Sequence, residues 1–314
     1  RLHYTLEGLD VQAYLNDLKK TTYRHQLVRV ITAATITHVS GYVGNFLTKV
    51  KSKGRVQEIE HGAAIIATGA DEYKPSEYLY GQDSRVVTQL ELEERLAQRD
   101  ERLINSQSVV MIQCVGCRQE DRNYCSRVCC SGAIKNALKL KSVNKAMDIY
   151  VIFRDMRTYG FSEDYYLAAS KQDVKFIRYE PHDKPHVQAA EEGGRSVLKV
   201  TVTDPVLGRK LAIDADAVVL SAAVIPSAGS QDTARLFKVP LSPDGFFQEA
   251  HVKLRPVDFA AEGVFLCGTA QYPKHLSEVI SQAYGAAGRA LTLLSNDTVV
   301  ASGSVCEVDE SICV

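Results

Sequence analysis

The sequence predicts an α/β protein built on an open parallel sheet of the dinucleotide-binding kind, and three observations predict it. An apolar run from Ser108 to Gln113 passes through a polar turn into a segment with a helical stripe at Ala133, Ala137, Leu138 and Leu140. This strand, turn and helix order is how such a sheet opens. Apolar runs at Ala64 to Gly69, Ala217 to Ala222 and Val264 to Ala270 repeat the buried-strand pattern. At the turn after Gln113 a dinucleotide-binding unit needs closely spaced glycines, so that backbone approaches a diphosphate at the helix N-terminus. Here five cysteines stand within seventeen residues instead: Cys114, Cys117, Cys125, Cys129 and Cys130. No G-x-G-x-x-G occurs in the 314 residues. The phosphate turn has been given over to something that thiolates bind.

The length suggests two domains, since one core seldom grows past about 250 to 300 residues. With 45% hydrophobic and 24% charged residues the chain is globular, and a net charge of −1 gives no reason to expect nucleic acid as partner. No apolar run approaches the roughly 18 residues a membrane span requires. The chain opens on Arg1 and Leu2, with neither an initiator Met nor a signal composition, and reads as a piece of something longer. A core of this size needs no staples, so eight cysteines, most of them clustered, point to metal or redox chemistry in a reducing compartment.

Taken in order, Leu9, Val11, Tyr14, Leu15 and Leu18 fit one face of a helix. Val28 to Ile36 reads as a strand, and Gly41 and Gly44 mark a hairpin before Phe46 to Val50. Residues 76–107 read as a surface connection with one amphipathic helix, Leu90 to Leu96, whose Glu91, Glu93 and Glu94 form a solvated face. Asp148 to Phe153 is the next buried strand. It ends in Arg154-Asp155-Met156-Arg157, polar groups at the sheet edge where ligands lie. Tyr165 to Ser170 is a short helix and Val174 to Tyr179 a strand, while Val197 to Thr203 and Arg209 to Asp214 pair as antiparallel neighbours. Glu278 to Leu294 is a helix rich in small residues that permit close approach of a sheet or a flat ligand. Beyond Ser295 the composition turns polar and the domain ends.

The cysteine segment supports several chemistries. Four thiolates suit a 4Fe–4S cluster, a four-cysteine zinc site is the structural alternative, and Cys114 with Cys117 has the spacing of a redox dithiol. Zinc sites pair two spaced CxxC knuckles, whereas the second group here is Cys125-x-x-x-Cys129-Cys130. On a helix Cys125 and Cys129 share a face, and a helix N-terminus favours thiolates. Cys267 reads as a buried apolar thiol, and no histidine has a defensible ligand spacing.

Particular strings go further. Ile65-Ile66-Ala67-Thr68-Gly69 and Phe265-Leu266-Cys267-Gly268-Thr269-Ala270 resemble the two-dinucleotide-binding-domain, thioredoxin reductase-like flavoproteins. Within that superfamily, Gln113-Cys114-Val115-Gly116, Tyr124-Cys125-Ser126-Arg127-Val128-Cys129-Cys130 and Ala133 to Lys139 are similar to the A-type subunit of heterodisulfide reductases. So are Arg154 to Gly160, Arg178-Tyr179-Glu180-Pro181, Gly268 to Lys274 and Ile280-Ser281-Gln282-Ala283, and the likeness runs from Tyr4 to Val314. The resemblance implies a cytoplasmic electron-transfer subunit carrying FAD and a 4Fe–4S cluster. Its partners would be the other subunits of a heterodisulfide reductase-like complex, with a homodimer core and an electron donor such as a hydrogenase or ferredoxin.

Cys114, Cys125, Cys129 and Cys130 match the family's cluster ligands, while Cys117 stands where relatives carry serine. For FAD the matching residues are Thr68, Gly69, Gly268, Thr269, Ala270, Lys274, Gln282 and Ala283, with Lys274 the catalytic candidate as a cation beside the flavin ring. The resemblance divides the chain into a first part of the FAD domain at 1–105 and a nucleotide-binding-like domain with the cysteines at 106–226. A second FAD part follows at 227–298 and a linker at 299–314. The family's glycine-rich FAD turn would precede residue 1, and Cys313 would be the first ligand of a ferredoxin module missing from this chain. The alternatives are the zinc scaffold and an NAD(P)H-dependent disulfide reductase, against which the missing glycine fingerprint argues.

Overall fold

Asp10 starts the first helix: its carboxylate accepts the Ala13 N–H at 2.9 Å, the N-cap role to which short acidic side chains are suited. The computed structural model describes residues 2–299. Helix α1 (Val11–Arg24) precedes strands β1 (Ala34–Tyr42), β2 (Asn45–Ser52), β3 (Arg55–His61), β4 (Ala64–Ile66), β5 (Ala70–Glu72) and β6 (Val86–Thr88). Helices α2 (Gln89–Ala97) and α3 (Glu101–Ile104) lead to β7 (Ser108–Val115), α4 (Cys129–Val143), β8 (Asp148–Phe153), α5 (Ser162–Lys171) and β9 (Val174–Arg178). Then come β10 (His186–Glu192), β11 (Arg195–Asp204), β12 (Arg209–Ala215), β13 (Ala217–Ala222) and β14 (Val224–Pro226). Helix α6 (Ser230–Phe237), β15 (Val264–Leu266), a 3-10 turn (Gly268–Ala270) and α7 (Leu276–Leu294) complete the series.

The chain forms two compact units. The first holds the described residues up to Val30, Ala70–Pro226 and Pro273–His275; the second holds Ile31–Gly69, Ser227–Tyr272 and the described residues from Leu276 onward.

At the centre of the first unit is a five-stranded parallel sheet in the order β6-β13-β7-β8-β9. Strand side chains alternate between faces, and both faces are covered, which is why β7 reads as an unbroken apolar run. Val109 and Met111 pack with Ala133, Ile134, Ala137 and Leu140 of α4. Val110 and Ile112 pack with Leu198, Val200 and Val202 of β11, in the antiparallel sheet β10-β11-β12.

The segment expected as a surface connection is part of this unit. Val86, Val87 and Thr88 pair with β13 as a sheet strand too short for periodicity to reveal. Thr88 and Glu91 form a reciprocal capping box that starts α2. Glu93 is 1% exposed and ion-paired, so the expected solvated acidic face is wrong at that position: its partner, Lys135, lies far along the chain.

In the second unit β1, β2 and β3 form an antiparallel sheet, with Phe46, Thr48 and Val50 buried on alternate positions. Lys53 and Gly54 both take positive φ at the second hairpin, the mirror-image turn that matches strand twist. The strand expected from Val28 begins only at Ala34. Strand β4 pairs in parallel with β15, and Phe247, Phe259, Val264 and Leu266 form the adjoining core. Ile65, expected inside a buried strand, is 43% exposed because its side chain alternates away from that core. Of α7 only Ala286 and Ala290 are buried. No helix among the described residues is long and apolar enough to cross a membrane. Cys306, Cys313 and the expected linker beyond Val299 lie outside the described residues.

Candidate functional site

From β7 the chain runs outward through β8 and β9 on one side, while β13 and β6 lie on the other, so the sheet's topological switch point is between β7 and β13. In open α/β sheets the crevice beyond the strand ends at that point is where ligands bind. The cysteines occupy it. Cys114, at φ +63°, and Gly116, at φ +77°, turn the chain out of β7, and the Ala223 N–H beyond β13 closes on the Val115 carbonyl at 2.8 Å. Gly116 is required there twice over. Its φ lies in the left-handed region, and any Cβ would collide with the ring of Tyr73. The Arg122 guanidinium lies 4.4 Å from the centre of that ring and donates to the Gly116 carbonyl at 2.7 Å. Farther along the loop, the Tyr124 hydroxyl donates to the Val224 carbonyl at 2.9 Å, and the Val224 N–H donates to Ser126 Oγ at 2.9 Å.

Cys129 and Cys130 are the first two residues of α4, whose N-cap, Val128, offers no side-chain acceptor to the free N–H groups of the first turn. Cys125 precedes the helix and accepts the Arg127 N–H at 3.3 Å. The helical-face relation expected between Cys125 and Cys129 therefore does not hold, because Arg127, at φ +62°, breaks the chain direction between them. The Cys129 thiol points to the Ala222 carbonyl at 3.9 Å and the Cys130 thiol to the Asp155 carbonyl at 3.8 Å. Arg118 reaches Cys114 Sγ at 3.9 Å and Asp155 at 2.5 Å, while Arg154 donates to the Arg118 carbonyl at 2.6 Å.

Electrostatics couple the thiols. Cys114 gives a hydrogen bond to Cys117, which raises its own proton affinity and draws Cys117 below the ordinary thiol range; Ser126 and the Arg118 charge add to the latter. Burial, then the neighbouring Cys117, Cys130 and Cys125, pushes Cys129 well up. Burial also raises Cys130, against the Arg157 N–H and the charges of Arg157 and Arg118. Such a crowd resists multiple ionisation unless positive charge is supplied, as iron would supply it.

The residues fit a 4Fe–4S cluster. Five thiols near enough to couple electrostatically stand between the end of β7 and an uncapped helix start, and Gln113 and Ser131, each next to a cysteine, carry buried polar atoms without protein partners. Among the described residues no three His, Cys, Asp or Glu side chains converge on a single point.

In the second unit, Thr68 and Gly69 after β4 meet the 3-10 turn after β15: a Cβ on Gly69 would sit 3.9 Å from Thr269 Oγ1. Gly69 and Gly268 both have φ +75°. The Gly268 N–H donates to Gln282 Oε1 at 2.8 Å, and Gln282 in turn donates to Gln271. Ala270 is buried; Thr68 and Ala283 are exposed. This arrangement presents backbone and small residues at the strand ends and fits the edge of a flat cofactor, although the chain has no glycine-rich turn for a diphosphate. Lys274 falls in the first unit, where the neighbouring Pro273 carbonyl accepts from Arg127 at 3.3 Å. Cys267 is buried, as expected.

Comparison with known proteins supplies the family. The chain is 33% identical over 302 residues to the A-type subunit of the ferredoxin:CoB-CoM heterodisulfide reductase of Methanosarcina acetivorans, covering 83% of this chain and 37% of that one. It is 36% identical over 272 residues to the A-type subunit of the H(2):CoB-CoM heterodisulfide,ferredoxin reductase of Methanothermobacter thermautotrophicus, covering 82% and 40%. The chain belongs with the A-type subunits of heterodisulfide reductases. No protein-family model matches it. This heterodisulfide reductase-like chain spans about two fifths of the length of those relatives. Its fold is thioredoxin reductase-like. It superposes on the T. acidophilum thioredoxin reductase with a TM-score of 0.55 at 13% identity, covering 92% of this chain and 81% of that one. With the FAD-bound cadaverine monooxygenase DfoA of Erwinia amylovora the TM-score is 0.59 at 11% identity, covering 96% and 78%.

Sequence reading missed Ser126, Tyr73 and Arg122 as neighbours that hold the cysteine turn. Gly116, kept in a turn with no phosphate to approach, was the available signal for a packed ring.

Proposed function

We propose that the chain is the part of an FAD- and 4Fe–4S-containing oxidoreductase subunit that relays electrons between flavin and iron–sulfur centres in a heterodisulfide reductase-like complex. The observation that supports this reading is a crowd of electrostatically coupled thiols between the end of β7 and the start of α4, beside the sheet's switch point. A bound cluster supplies one-electron transfer at a potential tuned by its surroundings. Cys114, Cys125, Cys129 and Cys130 are the ligands in this reading. The α4 N-terminus, Arg118 and Arg157 offset the thiolate charge, and the Tyr73, Gly116 and Arg122 stack holds the loop against the sheet.

The second unit would hold the later part of the FAD site through Thr68, Gly69, Gly268, Thr269, Ala270, Gln282 and Ala283. Lys274 would be the cation that favours reduced flavin. We take the partners to be the other subunits of the complex together with a ferredoxin- or hydrogenase-type donor, in a cytoplasmic assembly with a homodimer core.

One observation favours a second reading. Cys114 and Cys117 stand three residues apart in the turn and are coupled so that Cys117 is drawn below the ordinary thiol range, as a redox dithiol needs, and such a protein would be free of iron. Anaerobic purification with an absorption spectrum and iron, sulfide, zinc and flavin analysis separates the two. Brown protein with about four iron and four sulfide per chain is expected. A colourless protein holding one zinc, or an iron-free dithiol oxidised and reduced by NADPH alone, overturns the proposal.

A further inference from the structure

We infer that the side-chain amide of Gln113 donates a hydrogen bond to sulfur of the metal site and thereby sets its reduction potential; this rests on the cluster reading above. Gln113 is 1% exposed, and neither Nε2 nor Oε1 has a protein partner. Its backbone carbonyl accepts from the Tyr179 hydroxyl at 3.1 Å.

The strand geometry says where the orphan amide points. Val109 and Met111 of β7 face α4, and Gln113 is next in that alternation; the register break between Ile112 and Val115 falls at Cys114, whose φ is +63°, which keeps Gln113 on the α4 side. Because α4 returns the chain between two parallel strands, its N-terminus lies at the end of β7 where Gln113 stands. That N-terminus is Cys129 and Cys130, and Ser131 in the same turn has a buried hydroxyl that also lacks a partner.

The neighbouring amides, half-buried Gln89 and buried Asn136, are engaged. Gln89 donates to Ser221 Oγ at 3.2 Å and toward Met111 Sδ at 3.6 Å, and Asn136 donates to Gln89 Oε1 at 2.8 Å. An unmet buried amide costs about 1–3 kcal/mol, and such groups in folded proteins nearly always have a partner. A ligand with sulfur acceptors at the helix start provides one. A donor to cluster sulfur stabilises the more negative reduced form and so raises the potential.

The test uses Gln113→Met, which keeps the volume and removes both polar atoms, in the anaerobically loaded full chain. Iron and sulfide content is measured first, then the midpoint by EPR-monitored redox titration. The expected result is full loading with the reduction equilibrium about tenfold less favourable, ~59 mV more negative for a one-electron couple. An unchanged midpoint at full loading, the outcome if a trapped water partners the amide, overturns the inference and leaves the cluster reading standing. An unsubstituted chain that takes up no iron overturns the cluster reading itself. Should Gln113→Met fail to fold or load, the unsubstituted chain decides: with glutamine labelled by 15N at Nε2, a nitrogen coupling in the pulsed EPR spectrum of the reduced cluster supports the hydrogen bond, and its absence refutes it.

Discussion

Lys135 and Glu93 meet at 2.7 Å inside the first unit, with side chains 8% and 2% exposed. Glu93 also accepts the His3 and Tyr4 N–H groups at 2.6 and 3.1 Å, and Lys135 donates to the Tyr4 carbonyl at 3.0 Å while lying 4.5 Å from the centre of its ring. The pair thus pins the start of the described chain to α2 and α4.

Breaking it leaves a buried charge alone. Lys135→Met should cost about 3–5 kcal/mol, whereas Lys135→Met with Glu93→Leu should recover much of that, because two well-packed apolar groups leave nothing unpaired. Urea unfolding of these variants and of Glu93→Leu alone checks this, and a double variant that loses the sum of the two single losses would show that the pair is not coupled.

Asp83 is held below the ordinary carboxylate range by its hydrogen bond with Arg85, against the opposing effect of burial. Arg85 in turn donates to the Ser196 carbonyl at 2.9 Å and ties β11 to the parallel sheet. A depressed folded value means that the contribution is complete above the unfolded value of about 3.9 and is lost as the pH falls through the lower folded value. Asp83→Asn should flatten that acid limb in unfolding curves taken from neutral to acid pH. A limb of unchanged steepness would assign it to other carboxylates.

Gly116→Ala forces both a strained φ and a collision with Tyr73. A loss of about 2 kcal/mol or more is expected, together with reduced iron retention, since the loop that carries the thiols must move. Thermal unfolding and iron analysis measure the two effects.

Cys114 and Cys117 are separable by substitution. Cys114→Ser, Cys125→Ser, Cys129→Ser and Cys130→Ser should each lose most of the iron, and Cys117→Ser should keep it. The reverse result for Cys114 and Cys117, read as iron and sulfide per chain, would exchange their roles.

Gln282→Leu removes the acceptor of the Gly268 N–H and leaves that donor without this bond. A cost of about 1–3 kcal/mol and weaker flavin retention are expected. Flavin content after gel filtration reports it, and unaltered retention would remove Gln282 from the site.

What was legible follows from range. The run Ser108 to Gln113, buried on both sides, shows itself as unbroken apolarity, and the strand, turn and helix order around it followed from neighbouring residues. The cysteine spacing is likewise local. Strand β6 was not legible because three residues carry no period, and what makes them a strand is pairing with β13, far along the chain. Glu93 looked solvated because its neighbours Glu91 and Glu94 are charged; only Lys135 explains its burial.

The chemistry of the crevice, thiols in a turn stripped of its phosphate-binding glycines, was determined by the sequence alone, because side-chain inventory and short spacing need no fold to be read. The tertiary structure alone decided that the helix begins at Cys129 rather than before Cys125, that Gly116 lies against Tyr73, and that Gln113 is buried with its side-chain amide unpartnered. Those outcomes depend on burial and on backbone direction, and both are set by residues that meet only when distant parts of the chain pack together.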